Sequence, residues 1–191
     1  MKELVQRAFD FFGYVIPGLF IIFSLSILAV PINDIDTVIS LTKKFDIGLG
    51  TVMVIVAYVI GFCVYPVGRF LYKTIGFKLF GNRILDDSNQ TNLSVPTKYA
   101  LLREHSPMNF KYVESWNIYC AMSHNLMVAS LFFSVVSIIK MASGADKLLW
   151  FGALVTGIII FLILTHRAVT YFHWAAYDIN ATISSLKLKD K

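Results

Sequence analysis

The sequence from Ile47 to Gly68 reads IGLGTVMVIVAYVIGFCVYPVG and contains no Asp, Glu, Lys or Arg. A helix needs about 17–25 residues to cross a hydrocarbon core of about 30 Å, so this stretch is long enough to span a bilayer. Three other stretches share both properties: Phe11–Ile32, Asn117–Ile139 and Leu148–Thr165. Amphipathic helices of soluble proteins keep a charged or polar face, which these stretches lack. The pattern therefore predicts a membrane protein with four transmembrane helices.

The composition of the 191-residue chain agrees with a membrane location. Hydrophobic residues make up 57% of the chain and charged residues 15%, against about 25% charged in an average soluble domain. Backbone within lipid must form helices or a closed barrel, and barrel strands alternate apolar and polar residues. Because the four stretches do not alternate, the fold class predicted is an all-α, multi-pass membrane bundle.

The basic residues predict the orientation of the bundle. Four spans with a cytoplasmic N-terminus place residues 1–10, 69–116 and 166–191 on the same side, and these segments carry thirteen of the 17 Lys and Arg residues. Positive charge accumulates on the cytoplasmic side of membrane proteins. Both termini are therefore expected in the cytoplasm.

This topology divides the chain into four parts. Residues 1–68 hold the first two spans (11–32 and 47–68), and residues 69–116 form a cytoplasmic segment rich in basic and aromatic residues. Residues 117–165 hold the third and fourth spans (117–139 and 148–165), and residues 166–191 form a cytoplasmic helix with a basic tail.

The helix-breaking residues predict where the later helices begin and end. A short helix is expected from about Pro96 to Glu104. The third helix is expected to begin at Ser106-Pro107, because proline is favoured at the first helical position, and to run to Gly144. The fourth helix continues without Gly or Pro to about Leu186, so its extension and that of the third helix should pack together in a small cytoplasmic helical domain.

The first span contains Pro17 followed by Gly18. Proline removes one backbone hydrogen bond and clashes with the preceding turn, so a kink is expected here. The kink is either a bend that serves packing or a hinge in a gating helix.

No known catalytic motif occurs in the chain, and no cofactor or metal site is predicted. The chain has no HExxH, GxSxG, Walker or GxGxxG pattern, and its two cysteines, Cys63 and Cys120, form no CxxC pair. His124 and Asn125 are the only strongly polar side chains inside the spans. Polar groups within a bilayer are costly, so this pair is either an interhelical hydrogen-bonding site or a functional one. The chain is expected not to be an enzyme.

A stripe of serines follows the third span. At 100° per residue the four fall within about 60° of one another on the helix. The stripe is either a seam of small residues against another helix or the hydroxyl-lined wall of a pore formed by several subunits. Its members are Ser123, Ser130, Ser134 and Ser137.

A second pattern combines positive charge with aromatic rings on the predicted cytoplasmic side. Such a surface suits a nucleotide or a single-stranded oligonucleotide, whose bases stack on aromatic side chains. The positive-inside rule and the aromatic belt of membrane proteins would produce the same composition without a ligand. The candidate ligand-binding residues are Arg69, Lys73, Lys78, Arg83, Lys98, Arg103, Lys111, Tyr112 and Trp116.

Three short motifs carry a resemblance to a known type of protein: Phe12-Gly-Tyr-Val-Ile-Pro17-Gly18, Tyr58-Val-Ile-Gly61-Phe and Lys111-Tyr-Val-Glu114-x-Trp116. The chain resembles the membrane effectors of bacterial anti-phage systems of the CBASS and Hailong type, in which a nucleotidyltransferase makes a cyclic nucleotide or a DNA oligomer. The resemblance covers most of the chain in layout and implies a homo-oligomer, such as a tetramer, that depolarises the inner membrane when its ligand state changes. It implies a partner nucleotidyltransferase and carries over no catalytic residues.

The sequence thus leads to three functional hypotheses. In the first, the protein is an oligomeric channel in the lipid bilayer, gated at its cytoplasmic face by a nucleotide or single-stranded DNA. In the second, it is a non-conducting scaffold or assembly subunit that binds another membrane protein through its small-residue seam. A membrane-embedded enzyme built around His124 and Asn125 is the third and weakest hypothesis.

Overall fold

A computed structural model describes residues 11–29, 47–81 and 93–187, and within these ranges the chain is helical with no strand. We number five helices in chain order. Helix α1 consists of a π-helical turn, Phe11–Val15, and an α-helix, Ile16–Ala29. Helix α2 comprises Ile47–Leu71, the π-helical turn Tyr72–Gly76, and Phe77–Phe80. Helix α3 is Val95–His105, α4 is Pro107–Ala142 and α5 is Lys147–Ser185.

The helix boundaries confirm the expected lengths of the last three helices. Ser94 caps α3, accepting a hydrogen bond from the backbone N–H of Thr97. Ser106 occupies the N-cap position of α4, but its side chain makes no capping bond, so Pro107 alone favours the start of that helix. Asp146 caps α5 by accepting hydrogen bonds from the backbone N–H groups of Leu148 and Leu149.

Three helices, α2, α4 and α5, are long and apolar enough to cross a membrane. The described part of the first predicted span is shorter, with an apolar helix over Gly13–Ala29, and residues 30–32 lie outside the described residues. At 1.5 Å per residue the 36 residues of α4 extend about 54 Å and the 39 residues of α5 about 58 Å. Both helices therefore exceed a hydrocarbon core of about 30 Å by more than 20 Å.

Helix α4 lies at the centre of the bundle. In its most apolar stretch 44% of the residues are buried, against 11% in α2 and 17% in α5, whose exposed residues are mainly Val, Ile, Leu and Phe. Neighbouring helices alternate in direction: α2 runs antiparallel to α1, α4 runs parallel to α1, and α5 runs antiparallel to α4. The contacts that set these directions pair Tyr14 with Gly61, Gly18 with Ala57, Gly13 with Asn125, Phe20 with Phe133, Cys120 with Ala168, and Ser134 with Gly157.

The N-terminal end of α4 and the C-terminal end of α5 pack together with α3. Their common core contains Leu102 of α3, Val113 of α4, and Ile179 and Ile183 of α5, each buried. A second core, around Tyr72, Cys120, Met127 and Ala168, joins α2 to the middle of α4 and α5. We call α3 with the packed ends of α4 and α5 the terminal unit.

Candidate functional site

Helix α4 directs three kinds of polar side chain at three different neighbours. Residues one apart are separated by about 100° around a helix, so consecutive side chains face different directions. Ser134 meets Gly157 of α5, His124 contacts aromatic rings of α2, and Asn125 bonds to α1. The polar residues of the third predicted span therefore hold the bundle together around α4.

The Asn125 side chain completes the backbone hydrogen bonding of α1. Its Nδ2 donates to the carbonyl oxygen of Gly13 at 2.8 Å, in a buried position. In an α-helix this carbonyl would accept from the residue four positions later, which is Pro17 and has no N–H. Asn125 therefore supplies the donor that Pro17 lacks, at the point where the π-helical turn Phe11–Val15 meets the α-helix.

His124 lies among the aromatic residues of α2. Its ring stacks on Tyr72, with centroids 5.4 Å apart and an interplanar angle of 10°, and it meets Tyr65 edge-on at 4.9 Å. The Nδ1 atom is buried without a hydrogen-bond partner, and a Cβ on Gly68 would lie 2.6 Å from it. This close approach leaves no room for a substrate beside Nδ1, so the arrangement is that of a packing site.

Glycines allow α1 and α2 to approach closely. A Cβ on Gly18 would overlap the carbonyl of Ala57, and a Cβ on Gly61 would overlap the carbonyl of Tyr14. Pro17 and Gly18, the predicted hinge residues, are both buried in this contact. The region of the expected kink is thus contacted by α2 at Gly18 and by Asn125 at Gly13.

The serine stripe is buried within one chain. Ser130, Ser134 and Ser137 donate to carbonyls of their own helix, and a Cβ on Gly157 of α5 would overlap the Ser134 hydroxyl oxygen. Ser123 is also buried. The contact of Ser134 with Gly157 is one that a small-residue seam between α4 and α5 would make.

The candidate ligand-binding residues fall into two groups. Arg69, Lys73 and Lys78 lie on α2 beside the core around Tyr72, and all three side chains are exposed. The second group lies on the terminal unit and comprises Lys98, Arg103, Lys111, Tyr112 and Trp116. Arg83 lies outside the described residues. None of these cations forms an ion pair with a carboxylate in the described ranges, and Lys98 donates to the side-chain oxygen of Asn180 at 2.9 Å.

Trp116 belongs to an aromatic cluster that joins α4 to α5. Its ring stacks on Tyr171 at 5.9 Å and meets Trp174 edge-on at 4.9 Å, while Tyr119 packs on Tyr171 at 5.5 Å. Its Nε1 donates to Oδ2 of Asp178 at 2.8 Å. Tryptophan and tyrosine accumulate where a membrane protein meets the headgroup region, and this cluster has that composition.

A cavity of about 370 Å³ lies next to this cluster in the terminal unit. It is lined by Asn109 and Tyr112 of α4 and by Asp178, Ala181 and Thr182 of α5. Asn109 donates to the Thr182 hydroxyl oxygen at 3.2 Å, and Thr182 donates to the backbone carbonyl of Asp178 at 2.7 Å. Of the predicted ligand-binding residues, Tyr112 alone lines this cavity.

Sequence reasoning missed the carboxylate and amide groups of the cavity. Asp178 and Thr182 are one turn apart on α5, but Asn109 is 73 positions from Thr182, so no local pattern joins them. The sequence did contain one signal: Asp178 and Thr182 interrupt the apolar residues on one face of α5. Only the antiparallel packing of α4 and α5 brings that face to Asn109.

Among the described residues no group of three or more His, Cys, Asp or Glu side chains could hold a metal ion.

Comparison with protein-family models, with curated proteins and with solved structures finds no match to this chain.

Proposed function

We propose that the protein is an oligomeric inner-membrane channel that responds to a ligand at its cytoplasmic end. In this proposal all four apolar helices, α1, α2, α4 and α5, span the bilayer, both termini are cytoplasmic, and the terminal unit is the cytoplasmic domain. The ligand is a nucleotide or a single-stranded oligonucleotide, and the output is depolarisation in anti-phage defence. The defence role comes from the resemblance to CBASS and Hailong effectors, which also suggests a tetramer and a partner nucleotidyltransferase.

The observation that carries the proposal is the continuity of α4 and α5. Each runs without interruption from the terminal unit through the bundle, so a displacement at one end is transmitted along a rigid element to the other. A protein that only needed membrane anchoring would not require two helices shared between its anchor and its extramembrane part. Continuous helices are suited to coupling a binding event to the membrane bundle.

The spacing of charges and aromatic residues supports the proposed position of the bilayer. Lys140 and Trp116 are 24 residues apart on α4, and Lys147 and Tyr171 are 24 residues apart on α5. Each separation corresponds to about 36 Å along a helix. That length matches a hydrocarbon core of about 30 Å with part of the headgroup region.

The exposed cations support an anionic ligand. Arg69 and Lys73 are one turn apart on α2, and Arg103 and Lys111 lie on the terminal unit; all four are exposed and have no carboxylate partner in the described ranges. A phosphate group would provide the missing negative charge. The two groups of cations lie on different elements, so a ligand that contacts both would connect α2 to the terminal unit.

The kink in α1 supplies a candidate moving part. Pro17 has no N–H to donate to the Gly13 carbonyl, and the Asn125 side chain of α4 donates to that carbonyl. A shift of α4 relative to α1 would break this bond and free the first helix to change its bend. In this mechanism the buried serine seam between α4 and α5 becomes accessible to water only when the helices move.

The test is conductance of the purified protein in planar bilayers, recorded with and without cyclic nucleotides and short DNA oligomers. The proposal expects discrete current steps whose open fraction changes with one ligand class. The Gly61→Ala variant tests the gating step, because added volume between α1 and α2 should change the open fraction and leave the cytoplasmic cations in place. Gly50→Ala is its matched control, since a Cβ there meets no atom within 4 Å. A silent bilayer containing folded, monodisperse protein would contradict the channel.

The burial of the serine seam favours a second candidate, a non-conducting scaffold. All four serines lie inside the chain, and the exposed membrane faces of α2 and α5 are mainly apolar. Such faces suit lipid or the apolar surface of another membrane protein better than a water-filled pore. This candidate expects no conductance and a stable complex with a different membrane protein in native membranes, measured by crosslinking before solubilisation.

A further inference from the structure

The cavity in the terminal unit contains one carboxylate with no cationic partner. Asp178 Oδ2 accepts a hydrogen bond from Trp116, and no Lys or Arg nitrogen of the described residues lies within ion-pair distance of this carboxylate. The basic residues nearest in sequence, Arg167 and Lys187, are each at least nine residues away along α5 or beyond it. A carboxylate at a cavity wall that lacks a counter-ion attracts a cation from solution.

The remaining lining groups favour an organic ammonium over a metal ion. Divalent metals require several oxygen, nitrogen or sulfur ligands, and Asp178 is the only carboxylate that lines the cavity. An ammonium group donates hydrogen bonds to a carboxylate and is attracted to an aromatic face, and Tyr112 supplies such a ring. The Nδ2 of Asn109 is already used in its bond to Thr182, so its amide oxygen is available as an acceptor.

The position of the cavity relative to the aromatic cluster suggests where the ammonium comes from. Tyr112 lies four residues before Trp116 on α4, and Asp178 lies four residues after Trp174 on α5. Each separation is about 6 Å along the helix, directed away from the bundle. The headgroup region extends about 5–8 Å beyond each side of the hydrocarbon core. In the proposed membrane position, with the aromatic cluster at the edge of the core, the cavity lies at headgroup depth.

We propose that the cavity between Tyr112 and Asp178 binds a primary ammonium group, supplied by an ethanolamine lipid headgroup or by a free amine. This site is distinct from the proposed nucleotide-binding cations, and it does not depend on the channel function. Binding an ammonium there would bridge α4 and α5 beside the Trp116–Asp178 hydrogen bond. It would thereby fix the terminal unit relative to the membrane surface.

The experiment uses the full chain in nanodiscs made with phosphatidylcholine alone or with added phosphatidylethanolamine. Lipid enrichment is measured by mass spectrometry of the lipids retained after detergent extraction. Binding of free ethanolamine to the phosphatidylcholine nanodiscs is measured by saturation-transfer NMR. Enrichment of phosphatidylethanolamine without a response to free ethanolamine identifies a lipid site, and a response to free ethanolamine identifies a soluble amine; both support the proposal.

The key variant is Asp178→Asn, which removes the charge and keeps an oxygen acceptor for Trp116. Its control is Glu114→Gln, which removes the same charge from an exposed residue two positions from Tyr112, about 200° around α4. We expect at least a fivefold loss of ammonium binding in Asp178→Asn and none in Glu114→Gln. Equal binding in Asp178→Asn, or no binding by the unaltered protein, would overturn the proposal.

A second variant keeps the test decisive if Asp178→Asn does not fold. Tyr112 is 58% exposed, so Tyr112→Leu removes the aromatic face with little effect on the core. A weaker response of this variant to ethanolamine or to the ethanolamine lipid supports the site. An unchanged response would overturn it.

Discussion

Asn125 of α4 replaces the backbone donor that Pro17 removes from α1, through a 2.8 Å hydrogen bond to the carbonyl of Gly13. The bond links two helices at the point where α1 departs from regular α-helical geometry. Backbone groups in the membrane must be satisfied within the protein, and neighbouring side chains commonly do this for proline-containing helices. The asparagine and the proline therefore form one structural unit, although they are 108 positions apart in the sequence.

Replacing Asn125 with Leu should destabilise the bundle by about 1–3 kcal/mol, because the buried Gly13 carbonyl loses its donor. The loss in the free energy of unfolding should be smaller in a Pro17→Ala background, where the backbone N–H of residue 17 can donate to the Gly13 carbonyl instead. Unfolding of the four proteins of this cycle in mixed micelles measures the coupling between the two positions. An equal cost of Asn125→Leu in both backgrounds would refute the replacement of one donor by the other.

Gly61→Ala should separate α1 from α2, because its Cβ would overlap the backbone carbonyl of Tyr14. Overpacking of this kind costs about 1–3 kcal/mol. Gly50→Ala and Gly152→Ala are matched controls, since a Cβ at either position meets no atom within 4 Å. Thermal unfolding in detergent should show a lower midpoint for Gly61→Ala alone. A similar loss in all three variants would point to a general effect of altered helix propensity.

Single cysteines should test the proposed orientation. In a background with Cys63 and Cys120 changed to Ser, we expect Lys147→Cys to react with a membrane-impermeant maleimide in intact cells. Lys111→Cys should react only after the membrane is permeabilised. Both positions are exposed, so lack of labelling would not result from burial. Labelling of both from the same side would contradict a single crossing by α4.

Charge reversal of Arg69, Lys73 and Arg103 to Glu should weaken binding of an anionic ligand at least tenfold, because all three side chains are exposed and have no carboxylate partner in the described ranges. The bundle should remain folded, since none of the three is buried. Binding of a labelled DNA oligomer is measured by fluorescence anisotropy, with Lys147→Glu as the control at the opposite end of α5. Unchanged affinity would show that the ligand does not bind at these three residues.

Several elements were predictable because they depend on local sequence. The charge-free runs predicted the helices, and the absence of Gly and Pro after Thr165 predicted that α5 extends far beyond a bilayer. Pro107 and Gly144 predicted the ends of α4 to within about two residues. Helix length and termination depend on residues within a few positions, so one sequence suffices to locate them.

The role of the polar residues in the third span was only partly predictable. The serine spacing showed that Ser123, Ser130, Ser134 and Ser137 share one face, but a packing seam and a pore wall need the same spacing. Ser134 lies against Gly157 of α5 within the chain, and this contact depends on the axial offset of α4 and α5. Helical periodicity shows which residues lie on the same face of a helix. It does not show which helix, lipid or water-filled space that face contacts.

The sequence by itself determined that this is a helical protein with helices long and apolar enough to cross a membrane, two of them much longer than a bilayer is thick. Hydropathy and helix-breaking residues act locally, so one sequence suffices for this conclusion. Only the tertiary structure decided that Asn125 donates to the backbone of α1, that Ser134 lies against Gly157 of α5, and that Tyr112 and Asp178 line one cavity. Each of these relationships joins residues far apart in the chain. Their distances depend on how the helices pack, because side chains meet only when the direction and offset of two helices bring them together.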